Sequence, residues 1–191
     1  MSAGPFELAL RMAETFDALG ISYVLGGSVA SSLVGEPRST ADLDVAVRIR
    51  GDDVDALVSA VAEDFYVSAE HVRDAVAGHG SFNLIAWHSA DKVDVFVLDD
   101  GLLDRRQIER RRPVDLGGGS VWVTSVEDQV LRKLSWFRMT GQTSDRQWRD
   151  VVGILQVQAG RIDDDDLTRT AHALGLDELL TRARADAAAS A

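Results

Sequence analysis

Asp42 and Asp44 are separated by one apolar residue in the stretch Asp42-Leu43-Asp44-Val45-Ala46-Val47. A strand repeats every two residues, so both carboxylates fall on one face while Leu43, Val45 and Val47 fall on the other. Carboxylates arranged in this way offer hard oxygen donors to a divalent cation such as Mg²⁺. Upstream, Val24-Leu25-Gly26-Gly27-Ser28 reads as the end of a buried strand that breaks at two glycines and enters a helix. Backbone N–H groups at such a helix start suit an anion, usually phosphate. The two stretches together describe a site for a metal-bound nucleoside triphosphate. Asp94 sits mid-strand in Lys92-Val93-Asp94-Val95-Phe96-Val97. By itself it reads as an ion-pair partner of Lys92 or of an arginine. Beside Asp42 and Asp44 it reads better as a third carboxylate of the same site.

The elements that must position these residues follow from periodicity. Leu8, Met12, Phe16 and Leu19 lie at helical spacing, and Gly20 follows as a stop. Ile21 to Leu25 is a β-branched and aromatic run, hence a strand, and Ser28 to Val34 fits a short helix ended by Gly35-Glu36-Pro37. Asp42 to Arg48 is the acid-bearing strand. A helix from Asp52-Asp53 through Val61, a short strand at Phe65 to Val67 and a helix from Ala69 to Ala77, stopping at Gly78, are expected next. Ser81 to His88 and Lys92 to Leu98 read as a hairpin. Leu102 to Arg110 looks helical, and Pro113 to Leu116 and Ser120 to Thr124 look like strands around Gly117-Gly118-Gly119. From Ser125 the pattern is wholly helical, starting with Ser125 and Asp128 as an approximate capping box. Asp163 to Asp166 reads as a helix start with a solvated face rather than a metal cluster, because consecutive helical residues point in different directions. The Ala/Ser-rich tail from Ala185 is expected to fray.

Composition narrows the function classes. The chain has 191 residues, 46% of them hydrophobic, no cysteine and a net charge of −11. One domain, or a domain with a small appendage, is expected. No apolar run is long enough to span a bilayer, and the N-terminus has no signal pattern, so a cytoplasmic location is the expectation. Disulfide and thiolate chemistry are excluded. The acidic balance argues against a broad nucleic-acid-binding surface. Arg105, Arg106, Arg110, Arg111 and Arg112 stand out as a local basic cluster. The four histidines show no ligand spacing and receive no role.

Gly26-Gly27-Ser28, then Arg38-Ser39-Thr40-Ala41-Asp42-Leu43-Asp44, then Asp94 on a later strand, resembles the polymerase-beta-like nucleotidyltransferase superfamily. The Arg-Ser-Thr-x-Asp-Leu-Asp form is most similar to the minimal nucleotidyltransferases related to AbiEii, a group that includes toxins of toxin–antitoxin systems. Lys133 and the later Arg149-Asp150 also resemble that group's downstream motif. The resemblance runs from Ile21 to Leu155. It implies an α/β (α+β) fold with a mixed β-sheet flanked by helices and a C-terminal helical bundle. It divides the chain into a core at 1–124 and a helical region at 125–191, packed on the core.

The activity implied is Mg²⁺-dependent transfer of a nucleoside monophosphate from an NTP, ATP among them, to an acceptor hydroxyl. Asp42, Asp44 and Asp94 would be both catalytic residues and Mg²⁺ ligands. Gly26, Gly27, Ser28, Arg38, Thr40 and Lys133 would bind the nucleotide. The implied acceptor is a tRNA 3′ end or a protein, with a small molecule such as an antibiotic as a further class. A cognate antitoxin or toxin partner is implied as well, and no membrane. Two readings compete with this one: a non-catalytic partner or antitoxin that keeps the fold, and an α/β domain whose turn and acids are incidental. Lys133 reads equally as a surface lysine of an amphipathic helix, and Asp150 as half of a structural pair.

Overall fold

The computed structural model describes residues 4–34 and 42–189. The elements run α1 (Pro5–Ala18), β1 (Ser22–Leu25), α2 (Gly27–Val34), β2 (Asp42–Arg48), a 3-10 turn (Gly51–Asp53), α3 (Val54–Val61), β3 (Phe65–Tyr66), α4 (Ala69–Gly78), β4 (Ser81–Ala86) and β5 (Lys92–Val97). They continue with α5 (Leu102–Glu109), β6 (Arg112–Asp115), β7 (Ser120–Val123), α6 (Val126–Met139), α7 (Asp145–Val157), α8 (Asp164–Ala173) and α9 (Asp177–Ala189). The chain divides into two compact units, Met1–Val29 with Ser39–Thr124, and Ala30–Arg38 with Ser125–Ala191.

The first unit is built on a seven-stranded mixed sheet in the order β3-β4-β5-β2-β1-β7-β6. β2 runs parallel to β5 and antiparallel to β1, while β4 is antiparallel to both β5 and β3. β1 touches β7 in parallel, and β7 closes a hairpin with β6. Strict alternation in β2, β4 and β5 sends Leu43, Val45, Val47, Phe82, Leu84, Val93, Val95 and Val97 into the core. Each such side chain contributes about 1.5–3 kcal/mol through burial. α1 covers β1, β2 and β7 with Leu8, Met12 and Phe16, and the Phe16 and Tyr23 rings meet at 5.4 Å. The opposite face of β2 and β5 is the one that carries the acids.

The second unit is helical. Ser125 caps α6 by accepting the Asp128 N–H, Ser144 caps α7 by accepting the Gln147 N–H, and Asp163 caps α8 by accepting the Asp166 N–H. The Asp163 to Asp166 run is thus a helix start, with Asp163 as the cap. Among the described residues no helix is long and apolar enough to cross a membrane.

Two expectations change. The tail from Ala185 does not fray at once: α9 continues to Ala189, because alanine has the best helix propensity and Ala187 is buried, with its carbonyl accepting the Gln156 amide at 3.1 Å. α4 includes Gly78 and ends on His79, which takes the left-handed conformation (φ 48°) and places Nδ1 3.2 Å from the Leu98 carbonyl.

Candidate active site

The site is assembled by strand register. In the parallel β2–β5 pair Asp44 lies opposite Asp94, and Asp42 lies opposite Lys92. Neighbouring strands are about 4.8 Å apart, so three carboxylates and one ammonium share a small patch of one sheet face. All of them are half-buried, whereas Leu43 and Val93 between them are fully buried. Burial of the alternate residues fixes the acids on this face, because a slip by one residue would bury the carboxylates and expose the valines.

The glycine turn closes over Asp44. The Gly26 N–H donates to the Asp44 carbonyl at 3.0 Å, and the Ser28 N–H faces Asp44 Oδ2 at 3.4 Å. Gly27 opens α2 in the left-handed conformation (φ 56°), and a Cβ at this position would fall on the Asp44 carboxylate. This glycine is therefore required twice, by backbone angle and by space. Gly27→Ala is expected to cost about 2–4 kcal/mol, combining the left-handed penalty with overpacking. Urea unfolding checks this, and a wild-type midpoint would contradict the packing described.

Asp94 is held from both sides. Asn83, directly opposite on β4, donates its amide to Asp94 Oδ1, and the Lys92 ammonium lies 2.9 Å from Oδ2. The hydrogen bond to Asp94, joined by the fields of Asp94, Asp42 and Asp44, raises the Lys92 pKa above the ordinary lysine value, against a smaller effect of burial. The ion-pair reading of Asp94 is thus realised with Lys92, and the strand register also sets Asp94 opposite Asp44. Asn83 was missed. Its only signal is the hairpin register, which requires knowing which residues form the turn.

Among the described residues no three His, Asp or Glu side chains are gathered into a metal-holding cluster. Asp94 has Asn83 and Lys92 as side-chain neighbours, one on each carboxylate oxygen. The donor chemistry nevertheless fits a hard divalent cation. Three carboxylates lie on adjacent strands of one face, and the positive charge among them is the Lys92 ammonium.

The other candidates lie elsewhere. Arg38 and Thr40 fall outside the described residues. Lys133 belongs to the helical unit, where it is buried and donates to Asp150 Oδ2 at 2.7 Å and Gln147 Oε1 at 3.2 Å. The arginine cluster is spread over the end of α5 and the start of β6. Arg111 donates to the Tyr23 carbonyl at 3.0 Å and stacks 4.7 Å from the Trp122 ring centre, and Arg105 donates to the Asp100 carbonyl at 2.8 Å.

No family model and no curated protein sequence matches the chain. Solved structures do. A nucleotidyltransferase-like antigenic protein from Paracoccidioides brasiliensis superposes with a TM-score of 0.57 at 19% identity, covering 95% of this chain and 92% of its own. The antibiotic-resistance factor ANT(2'')-Ia gives 0.55 at 13% identity, covering 92% and 94%. The lincosamide antibiotic adenylyltransferase LnuA, solved with lincomycin bound, gives 0.50 at 10% identity, covering 78% and 94%. With its mixed sheet, its acid-bearing parallel pair and its glycine turn, the chain has the nucleotidyltransferase fold.

Proposed function

We propose that the protein is a nucleotidyltransferase that moves a nucleoside monophosphate from an NTP to an acceptor hydroxyl. The observation that carries this reading is the register that sets Asp44 opposite Asp94, with the Gly27 turn closed over Asp44. Gly26, Gly27 and Ser28 present the N-terminal amides of α2 beside Asp44, which suits the β- and γ-phosphates. Arg38, Thr40 and Lys133 complete the nucleotide-binding set on the strength of the sequence resemblance. Asp42, Asp44 and Asp94 are the proposed ligands of Mg²⁺, which when bound supplies charge neutralisation at the phosphates and at the acceptor oxygen. The acceptor oxygen bonds to the α-phosphorus, the bond from that phosphorus to the α–β bridging oxygen breaks, and pyrophosphate leaves. The hydroxyl proton passes to a carboxylate of the site or to water. Positioning by Asn83 and Lys92 keeps Asp94 pointing to one place, which is most of what such a reaction asks of the protein.

A scaffold without catalysis would gain stability by losing one of these facing carboxylates. Their joint presence favours the enzyme over the binding-partner reading. The sequence resemblance by itself points to a toxin that acts on tRNA or on a protein and has a cognate antitoxin. The test is incubation with Mg²⁺ and each labelled NTP, with and without bulk tRNA, beside Asp42→Ala/Asp44→Ala. Label on an acceptor that vanishes in the double variant is the expected result. No transfer and no Mg²⁺-dependent NTP binding by calorimetry would leave only the binding-partner reading.

A further inference from the structure

The face that carries the acids does not stop at β5. Tyr66 lies opposite Ile85, Ile85 opposite Lys92, and Lys92 opposite Asp42, so these residues form one row across four strands. The adjacent row is Asn83, Asp94 and Asp44. Phe82 and Leu84 point into the core, which turns Ile85 to the acid side. Tyr66, Ile85 and Trp87 are 52%, 49% and 53% exposed, although all three are large and apolar. Tyr66 and Trp87 meet edge-on with ring centres 5.5 Å apart, and the Trp87 indole N–H is spent on the Ala62 carbonyl at 3.1 Å. The result is a fixed shelf, about 5 to 10 Å beyond the strand that carries Asp94.

Resting on the nucleotidyl-transfer reading, we propose that this shelf binds the acceptor, and that the acceptor is a neutral or cationic hydroxylated ring compound of the aminosugar type. Sheet order separates the two substrates. The phosphate-binding turn lies on the β1 side of the acids, and the shelf lies on the β4–β3 side, next to Asp94. An acceptor on the shelf therefore reaches Asp94 without crossing the triphosphate.

Charge selects the class. From β3 to β5 the strand residues on this face are Tyr66, Ser81, Asn83, Ile85, Lys92, Asp94 and Phe96, and the single cation among them, Lys92, is engaged by Asp94. A polyanion such as RNA needs several lysines or arginines along its backbone and finds on these strands only Lys92, already paired with Asp94. A sugar ring stacks its C–H face on Trp87 and Tyr66, and its amines are drawn by the aromatic faces and by the carboxylates.

The experiment uses the full chain with Mg²⁺ and labelled NTP, and offers tobramycin, lincomycin and bulk tRNA as separate acceptors. The wild type is expected to label at least one aminosugar compound. Trp87→Ser and Tyr66→Ser/Ile85→Ser are expected to raise its KM at least tenfold while NTP binding by calorimetry stays within twofold. The second variant leaves the Trp87 hydrogen bond intact, so it separates binding from folding. Label on tRNA alone, wild-type KM in both variants, or NTP binding with neither aminosugar labelled would overturn the shelf and leave the parent reading standing. Absence of Mg²⁺-dependent NTP binding overturns both.

Discussion

Asp44→Asn is expected to reduce nucleotidyl transfer by about a thousandfold or more while leaving the fold intact or slightly more stable. The charge of Asp44 is what the reaction uses, and preorganised charge at a transferring phosphoryl group is worth this much. The shape of Asp44 is what the turn uses. Asparagine keeps an oxygen for the Ser28 N–H and fits under Gly27 as the carboxylate does. Removing one of two like charges directly opposite each other across parallel strands relieves repulsion worth up to about 1 kcal/mol, part of which Lys92 already offsets. Melting curves in EDTA should therefore place the variant at or above the wild type. Saturating Mg²⁺ should raise the wild-type melting point, by the equivalent of about 2 kcal/mol, and should do much less for the variant. A variant that melts far below the wild type in EDTA would mean that the Asp44 charge is structural, and the proposed site would lose its central residue.

Lys133→Met is expected to destabilise the protein by about 3 kcal/mol, a drop of about 6–12 °C in melting temperature for a chain of this size. The Lys133 side chain is 3% exposed and that of Asp150 is 12% exposed, so the pair sits where water cannot replace the missing ammonium. Gln147 shares the ammonium and cannot itself neutralise Asp150. Lys133→Met/Asp150→Leu should recover part of the loss, because removing both charges avoids a buried carboxylate without its cation. Thermal melts of the three proteins check this. NTP titration of the single variant, below its melting point, separates the two sequence readings: affinity falls if the ammonium also reaches phosphate and holds if the pair is structural.

Much of this site was legible before any coordinates. Period-two alternation in Asp42 to Val47 is local, and it put both carboxylates on one face whatever the rest of the chain did. The same rule placed Asp94 on the face opposite Val93, Val95 and Val97. Gly26-Gly27-Ser28 announced a strand-to-helix turn, since a lone strand end would not need two glycines, and α2 does begin at Gly27. Ser125, Ser144 and Asp163 each cap a helix through their own side chains, a contact made within three residues and so written in the local sequence. The fraying expected of Ala185 to Ala189 failed for the opposite reason: the burial of Ala187 against a distant helix is not a local property.

Tertiary structure alone decided register and neighbours. That Asp44 faces Asp94 and Asp42 faces Lys92 depends on which strands pair and with what offset, and residues 45–93 separate the first pair and 43–91 the second. Asn83 became part of the site only because the hairpin set it opposite Asp94, and Lys133 became a buried ion pair only because α6 and α7 pack together. Tyr66, Ile85 and Trp87 carry no motif; the transverse row across β3, β4, β5 and β2 makes Tyr66 and Ile85 a continuation of the acid face, and Trp87 joins them through its ring contact with Tyr66. Backbone periodicity fixes the direction in which each side chain points. Packing of the apolar residues between them fixes what each one meets.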